Sequence, residues 1–224
     1  MSQVVDSFNN PIYISRGHED FLKLLEYLGK QKGDYYAVLS YLSSLHFPKP
    51  FIIRFYEFVN KKDRRKNYIT SYDKMKKHFL RNIKHHRYCF IYPQNIIEKF
   101  IYSGQVHSPY KFFASPAEVS TVANNIINLL EKEENFNIAL TKEEIPFIFM
   151  VKKESVIIDV KENILSQKIQ GIAIRNKEIA DYFREEFERI WNSGKTMNKK
   201  HDVMNYLKDR LNKEQYYGGI KIQK

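Results

Sequence analysis

The side chains that could do chemistry are few, and their spacing assembles no reacting set. His18, His46, His78, His85, His86, His107 and His201 are scattered along 224 residues. No two of them stand one helical turn apart, as a metal-ligand pair on a helix requires. His78 precedes His85 and His86 by about two helical turns, but within a stretch of Lys and Arg whose repulsion opposes a bound cation. The single cysteine, Cys89, lies in the apolar run "YCFIYP", where it reads as a small buried hydrophobe; alone it closes no internal disulfide. Glu185, Glu186 and Glu188 fall on the polar side of a helical pattern, which makes them solvated charges and not a general acid and base. Phosphate-cradling glycine loops and Gly-x-Ser-x-Gly are absent from the sequence. These features predict no metal, no cofactor and no enzymatic activity.

The chemistry that stands out is electrostatic. The formal net charge is +11, and between Asn60 and Arg87 eleven cations face only Asp63 and Asp73, a local net of +9. They are Lys61, Lys62, Arg64, Arg65 and Lys66, then Lys74, Lys76, Lys77, Arg81, Lys84 and Arg87. So concentrated a field attracts a polyanion, with nucleic acid as the first expectation and an acidic protein partner as the alternative; a well-solvated surface is the plain reading. A second candidate is the turn Arg175-Asn176, where a strand becomes a helix: the free N–H groups there can hold an anion, although capping alone accounts for Asn176.

The elements that must carry these residues are legible from periodicity. Glu19 to Lys30 spaces Phe21, Leu22, Leu25 and Leu28 as one side of a helix. "KQKGD" breaks it, and Asp34 is placed to cap a second helix from Tyr35 to Leu45. The two form an expected helical hairpin. "YYAVLSYLSSL" has no Arg, Lys, Asn or Gln with which to read base edges, so this is packing and not a DNA-reading unit. Phe51 to Val59, "FIIRFYEFV", is β-branched and aromatic and reads as a strand. Ser71 to His86 places Tyr72, Met75, Phe79 and Ile83 on one helical stripe and the cations over the remainder.

Further on, "YCFIYP" reads as a strand and "NIIEKFIYSG" as a helix closed by Gly104. Ser115-Pro116-Ala117-Glu118 has the composition of a capping box. "FNIALT", "IPFIFMVK" and "SVIIDV" suggest a meander, followed by a strand and the helix Lys177 to Trp191 capped by Asn176. A last helix is expected from Asn198 to Asn212. The fold class is α+β, with mixed α/β possible: a mostly antiparallel sheet packed by helices, with an N-terminal helical hairpin. The simplest division is a helical segment over residues 1–50, an α/β core over 51–194 and a helical extension over 195–224. No apolar run approaches the roughly 20 residues of a membrane-spanning helix, and no cleavable leader is visible, so the cytoplasm is the expected compartment.

The order "HHRYCFIYP", the Ser115 helix, "FNIALTKEEIPFIFMVKKESVIIDV" and "GIAIRNKEIADYFREEFERIWN" resembles a domain found in the C-terminal halves of bacterial helix-turn-helix regulators. It is similar in outline to the phospholipase-D-like fold, over roughly Ser71 to Asn192. The resemblance implies a sensor or effector-binding role in transcription regulation. Catalytic members of that fold carry His-x-Lys, which occurs nowhere in this sequence; the resemblance therefore implies a catalytically empty site.

Overall fold

Tyr88–Pro93 is buried at nearly every position, as expected of a strand with neighbours on both edges and covered on both faces. Around it the computed structural model describes residues 11–16, 18–59, 65–107, 112–160 and 169–217. The described elements run β1 (Ile12–Arg16), α1 (His18–Lys30), β2 (Tyr35–Val38), α2 (Lys49–Val59), α3 (Arg65–Asn82), β3 (Tyr88–Pro93), α4 (Gln94–Ser103), β4 (Gln105–His107) and β5 (Phe112–Phe113). There follow α5 (Pro116–Lys132), β6 (Phe136–Thr141), β7 (Ile148–Lys152), β8 (Ser155–Asp159), β9 (Ile169–Arg175), α6 (Lys177–Trp191), β10 (Thr196–Met197) and α7 (Lys200–Tyr217).

Eight strands form one sheet in the order β1-β9-β8-β7-β2-β3-β6-β10, and β4 and β5 form a separate ribbon. The contacts β2–β3 and β3–β6 are parallel; the other pairings in the sheet are antiparallel. The architecture is the expected α+β one, a mostly antiparallel sheet packed by helices. One face of the sheet carries the larger core, with Phe90, Phe136, Met150 and Ile157 against Leu24 and Leu28 of α1 and Phe79 of α3. The opposite face is closed by α6, whose Ala180, Phe187, Ile190 and Trp191 pack on Val38, Cys89, Ile91 and Val151.

Three expectations are corrected. The N-terminal hairpin does not form: Tyr35–Val38 is a strand, parallel to β3 and antiparallel to β7. A short apolar run fits a buried strand as well as a helix, and two waiting strand edges decide between them. Phe51 to Val59, read as a strand, lies in α2 with Phe51, Ile52 and Tyr56 buried. Their i, i+1, i+5 spacing is helical, and it prevails over β-branched and aromatic composition. The meander is also broken. β6 pairs with β3 and β10, while β7 lies beyond β2 and pairs with β8 through the tight turn Lys153-Glu154.

The local signals that were self-contained hold. Ser115 accepts from the Glu118 N–H while the Glu118 side chain accepts from the Ser115 N–H, a complete capping box. Asn176 caps α6, and Gly104 ends α4 with φ 68°. The C-terminal helix is longer than expected and is held at its middle, where Tyr206 and Arg210 both donate to Glu98 of α4 at 2.6 and 3.2 Å. Among the described residues no helix is long and apolar enough to cross a membrane.

Candidate nucleic-acid interface

The basic segment becomes α3, and its position follows from its apolar stripe. Tyr72, Met75, Phe79 and Ile83 are buried as the spacing predicts. The Tyr72 hydroxyl donates to the Phe47 carbonyl at 2.7 Å. At the C-terminal end, the Asn82 amide donates to the carbonyls of Gly29 and Gln31 and to the Tyr88 hydroxyl, at 3.0 to 3.2 Å. One side of α3 is thus clamped onto the larger core, and its cations are sorted by the direction each must leave the helix.

The structure does not keep the cations of the sequence together. Lys77, Arg81 and Lys84 are exposed, and among the described residues none has a carboxylate partner. Lys74 adjoins them on α3 but shares Glu26 with Lys30, at 3.4 and 3.2 Å. These residues make the exposed ridge. From Lys74 to Arg81 the ridge extends about 10 Å at 1.5 Å per residue.

Lys76 leaves the ridge. It turns toward the flank of α3 that faces α5 and donates to the Leu45 carbonyl, beside the buried His46 ring. Desolvation lowers the Lys76 pKa to about 8. His46, whose Nε2 lies 2.8 Å from the Tyr92 hydroxyl, is lowered to about 3 by burial and then by the nearby Lys76 charge. Arg87 goes to a different surface. It lies two residues before Cys89, on the α6 side of the sheet, and its neighbours are Cys89, Tyr36 and Glu188. Burial pushes the Cys89 thiol up to about 11, which keeps it protonated near neutrality. Lys61, Lys62 and Arg64 lie outside the described residues, whereas Arg65 and Lys66 begin α3.

Arg175 and Asn176 sit at the β9–α6 turn. The Asn176 side chain accepts from the Ile179 N–H at 3.0 Å, so its capping role is satisfied within the chain. The N–H groups of Arg175 and Asn176 donate to the carbonyls of Pro11 and Glu154. Those two backbone donors are therefore committed to the fold.

The structure also brings together residues that the sequence did not single out. Beside Lys76, a groove of about 360 Å³ runs between α3 and α5. Lys49 and Lys132 stand at it with Asn125, Asn128 and Glu133. Nothing local marks these residues: Lys49 falls between the segments read as a helix ending at Leu45 and a strand starting at Phe51, and Lys132 lies fifty positions along the chain past the end of α3. Lys49 is held by Asp73 of α3 at 2.6 Å in an exposed pair, a contact worth at most about 1 kcal/mol and open to competition from an anion.

No family model matches the chain, and no curated protein matches it. Solved structures similar to it include TrmBL2, an archaeal chromatin protein whose structure is described as showing a novel mode of DNA binding, at 11% identity and a TM-score of 0.48. Another is a phosphatidylserine synthase of Haemophilus influenzae Rd KW20, at 13% identity and a TM-score of 0.45. They cover 88% and 92% of this chain, which spans only 57% and 46% of theirs. At those identities and TM-scores, neither likeness assigns this chain a family or an activity.

Proposed function

We propose that this chain is a non-enzymatic regulatory protein that binds nucleic acid through the exposed ridge of α3, with the α+β body serving as scaffold or sensor. The observation that supports this reading is the set Lys77 and Arg81 on α3 and Lys84 in the turn that follows it, exposed and without carboxylate partners among the described residues, beside a helix anchored by its opposite side. Cations so placed meet successive phosphates without reorganising the fold. Backbone contacts carry no base information, so binding through the ridge is sequence-tolerant and strongly salt-dependent.

The test is charge reversal of Lys77, Arg81 and Lys84 together to Glu, read by fluorescence anisotropy on labelled duplex and single-stranded oligonucleotides over a salt series. All three side chains lie off the buried stripe, so the thermal midpoint should stay near that of the parent. Affinity should fall on the order of a hundredfold at low salt, and the slope of log K against log salt should flatten by about two to three, close to 0.7–0.9 for each lost phosphate contact. A folded variant that binds as the parent does would remove the ridge from the function.

A further inference from the structure

We infer that the groove between α3 and α5 holds one unpaired nucleotide of a single strand whose backbone crosses the α3 ridge. The inference rests on the nucleic-acid reading above and goes beyond it, because it assigns a second site and a preference for single strands.

The groove is next to the ridge on the same helix, and its chemistry differs from that of the ridge. Leu80 of α3 is 41% exposed, a large apolar side chain on an otherwise strongly cationic helix. With Leu129 and Pro48 it gives the groove apolar walls, the surroundings that the faces of a base require. Asn125 and Asn128, three residues apart on one face of α5, present amide donors and acceptors in the same space. Such groups bond to a base edge, and Glu133 can accept from an exocyclic amino group or a sugar hydroxyl.

The charge around the groove fits the phosphate of the same nucleotide. Lys49, Lys76 and Lys132 line it. Lys76 has no carboxylate partner among the described residues; after donating to the Leu45 carbonyl it retains two further N–H donors. Among the described residues, the exposed Asp73 pair alone engages Lys49. A groove of about 360 Å³ lies within the range of small-molecule sites. A base in a duplex is stacked between its neighbours and cannot enter such a groove unless it is extruded. An unpaired nucleotide can enter at much lower cost.

The experiment compares the parent, Asn125→Ala with Asn128→Ala, and the ridge reversal described above. Probes are fluorescein-labelled deoxythymidine and deoxyadenosine oligomers of about 20 nucleotides, a duplex of the same length, and AMP, UMP and inorganic phosphate followed by amide chemical shifts. The parent should bind the single strands about tenfold tighter than the duplex, roughly the contribution of one accommodated base. The asparagine variant should lose that preference and keep the duplex affinity and salt slope. AMP or UMP should shift α3 and α5 resonances saturably in the parent and in the ridge reversal alike, with inorganic phosphate weaker.

Equal binding of single strand and duplex by the parent overturns the inference. So does an unchanged preference in the asparagine variant, or no saturable response to either mononucleotide. Loss of the ridge effect alone overturns the proposed function and leaves the mononucleotide result as a separate reading of the groove.

Discussion

Replacing Lys152 with methionine should stabilise the protein at pH 7, on the order of 3 kcal/mol by urea titration, because it removes a buried ammonium that has no carboxylate partner among the described residues. Lys152 is fully buried at the end of β7, following Ile148 and Met150 on the α3 side of the sheet. Its Nζ donates to the Tyr88 hydroxyl at 2.5 Å and lies 4.9 Å from the centre of that ring. Burial first, then the positive charges of Arg81 and Lys153, lower its pKa to about 7, with Asp34 opposing. Methionine has a similar reach and no charge to desolvate, and the Tyr88 hydroxyl keeps its bond from Asn82.

The sign with pH follows from proton counting. The folded-state pKa of Lys152 lies below its unfolded value, so between about pH 7 and pH 10 the unfolded chain holds a proton that the folded chain has released. Parent stability should therefore rise with pH over that window. Lys76, lowered to about 8, adds in the same direction. Above about pH 10 the gain ends because the unfolded chain's lysine loses its proton as well, and stability then falls as buried tyrosines such as Tyr88, raised to about 12, keep protons that the unfolded chain releases. In Lys152→Met the rise between pH 7 and 9.5 should shrink by the Lys152 share, leaving what Lys76 and Lys200 add, less what the raised Cys89 thiol removes toward the upper end. An unchanged slope would mean that Lys152 is protonated in the fold throughout, with its charge compensated.

Gly104→Ala should have an effect of opposite sign and similar or larger size, a loss of about 4 kcal/mol. Gly104 adopts φ 68° at the end of α4, a conformation that costs an L-residue roughly 1–2 kcal/mol. The added Cβ would overlap the carbonyl oxygen of Ala114, a backbone atom that cannot swing aside as a side chain would. The backbone there is bonded on both sides: the Gly104 N–H donates to Phe100 and the Ala114 N–H donates to the Gly104 carbonyl, at 2.8 and 2.7 Å. Relief of the overlap must therefore move the β4–β5 ribbon and, through Ala114, the Ser115 cap of α5. Urea unfolding with an unchanged m-value and a midpoint shifted by that amount is the expected result; a midpoint within error of the parent would show that the ribbon yields freely.

What the sequence determined by itself is what short-range chemistry can specify. The capping box of Ser115 and Glu118, the Asn176 cap and the left-handed Gly104 each close within four residues, so their geometry is set wherever the helix lands. The buried stripe of α3 is likewise a matter of period, and the excess of cations near it is a matter of composition. Tertiary structure decided the rest. Tyr35 to Val38 became a strand because β3 and β7 offered hydrogen-bonding edges on both sides, a fact absent from those four residues. Phe51 to Val59 became a helix because burial of Phe51, Ile52 and Tyr56 outweighed strand propensity.

The same holds for the site. Periodicity places Lys76 off the buried stripe with Lys77 and Arg81, but only the Leu45 carbonyl and the face of α5 across the groove turn it away from the ridge. Lys152 reads in sequence as one more charge after an apolar run. It is a buried ammonium because the adjoining strands and α3 close over it, and desolvation depends on neighbours distant in the chain.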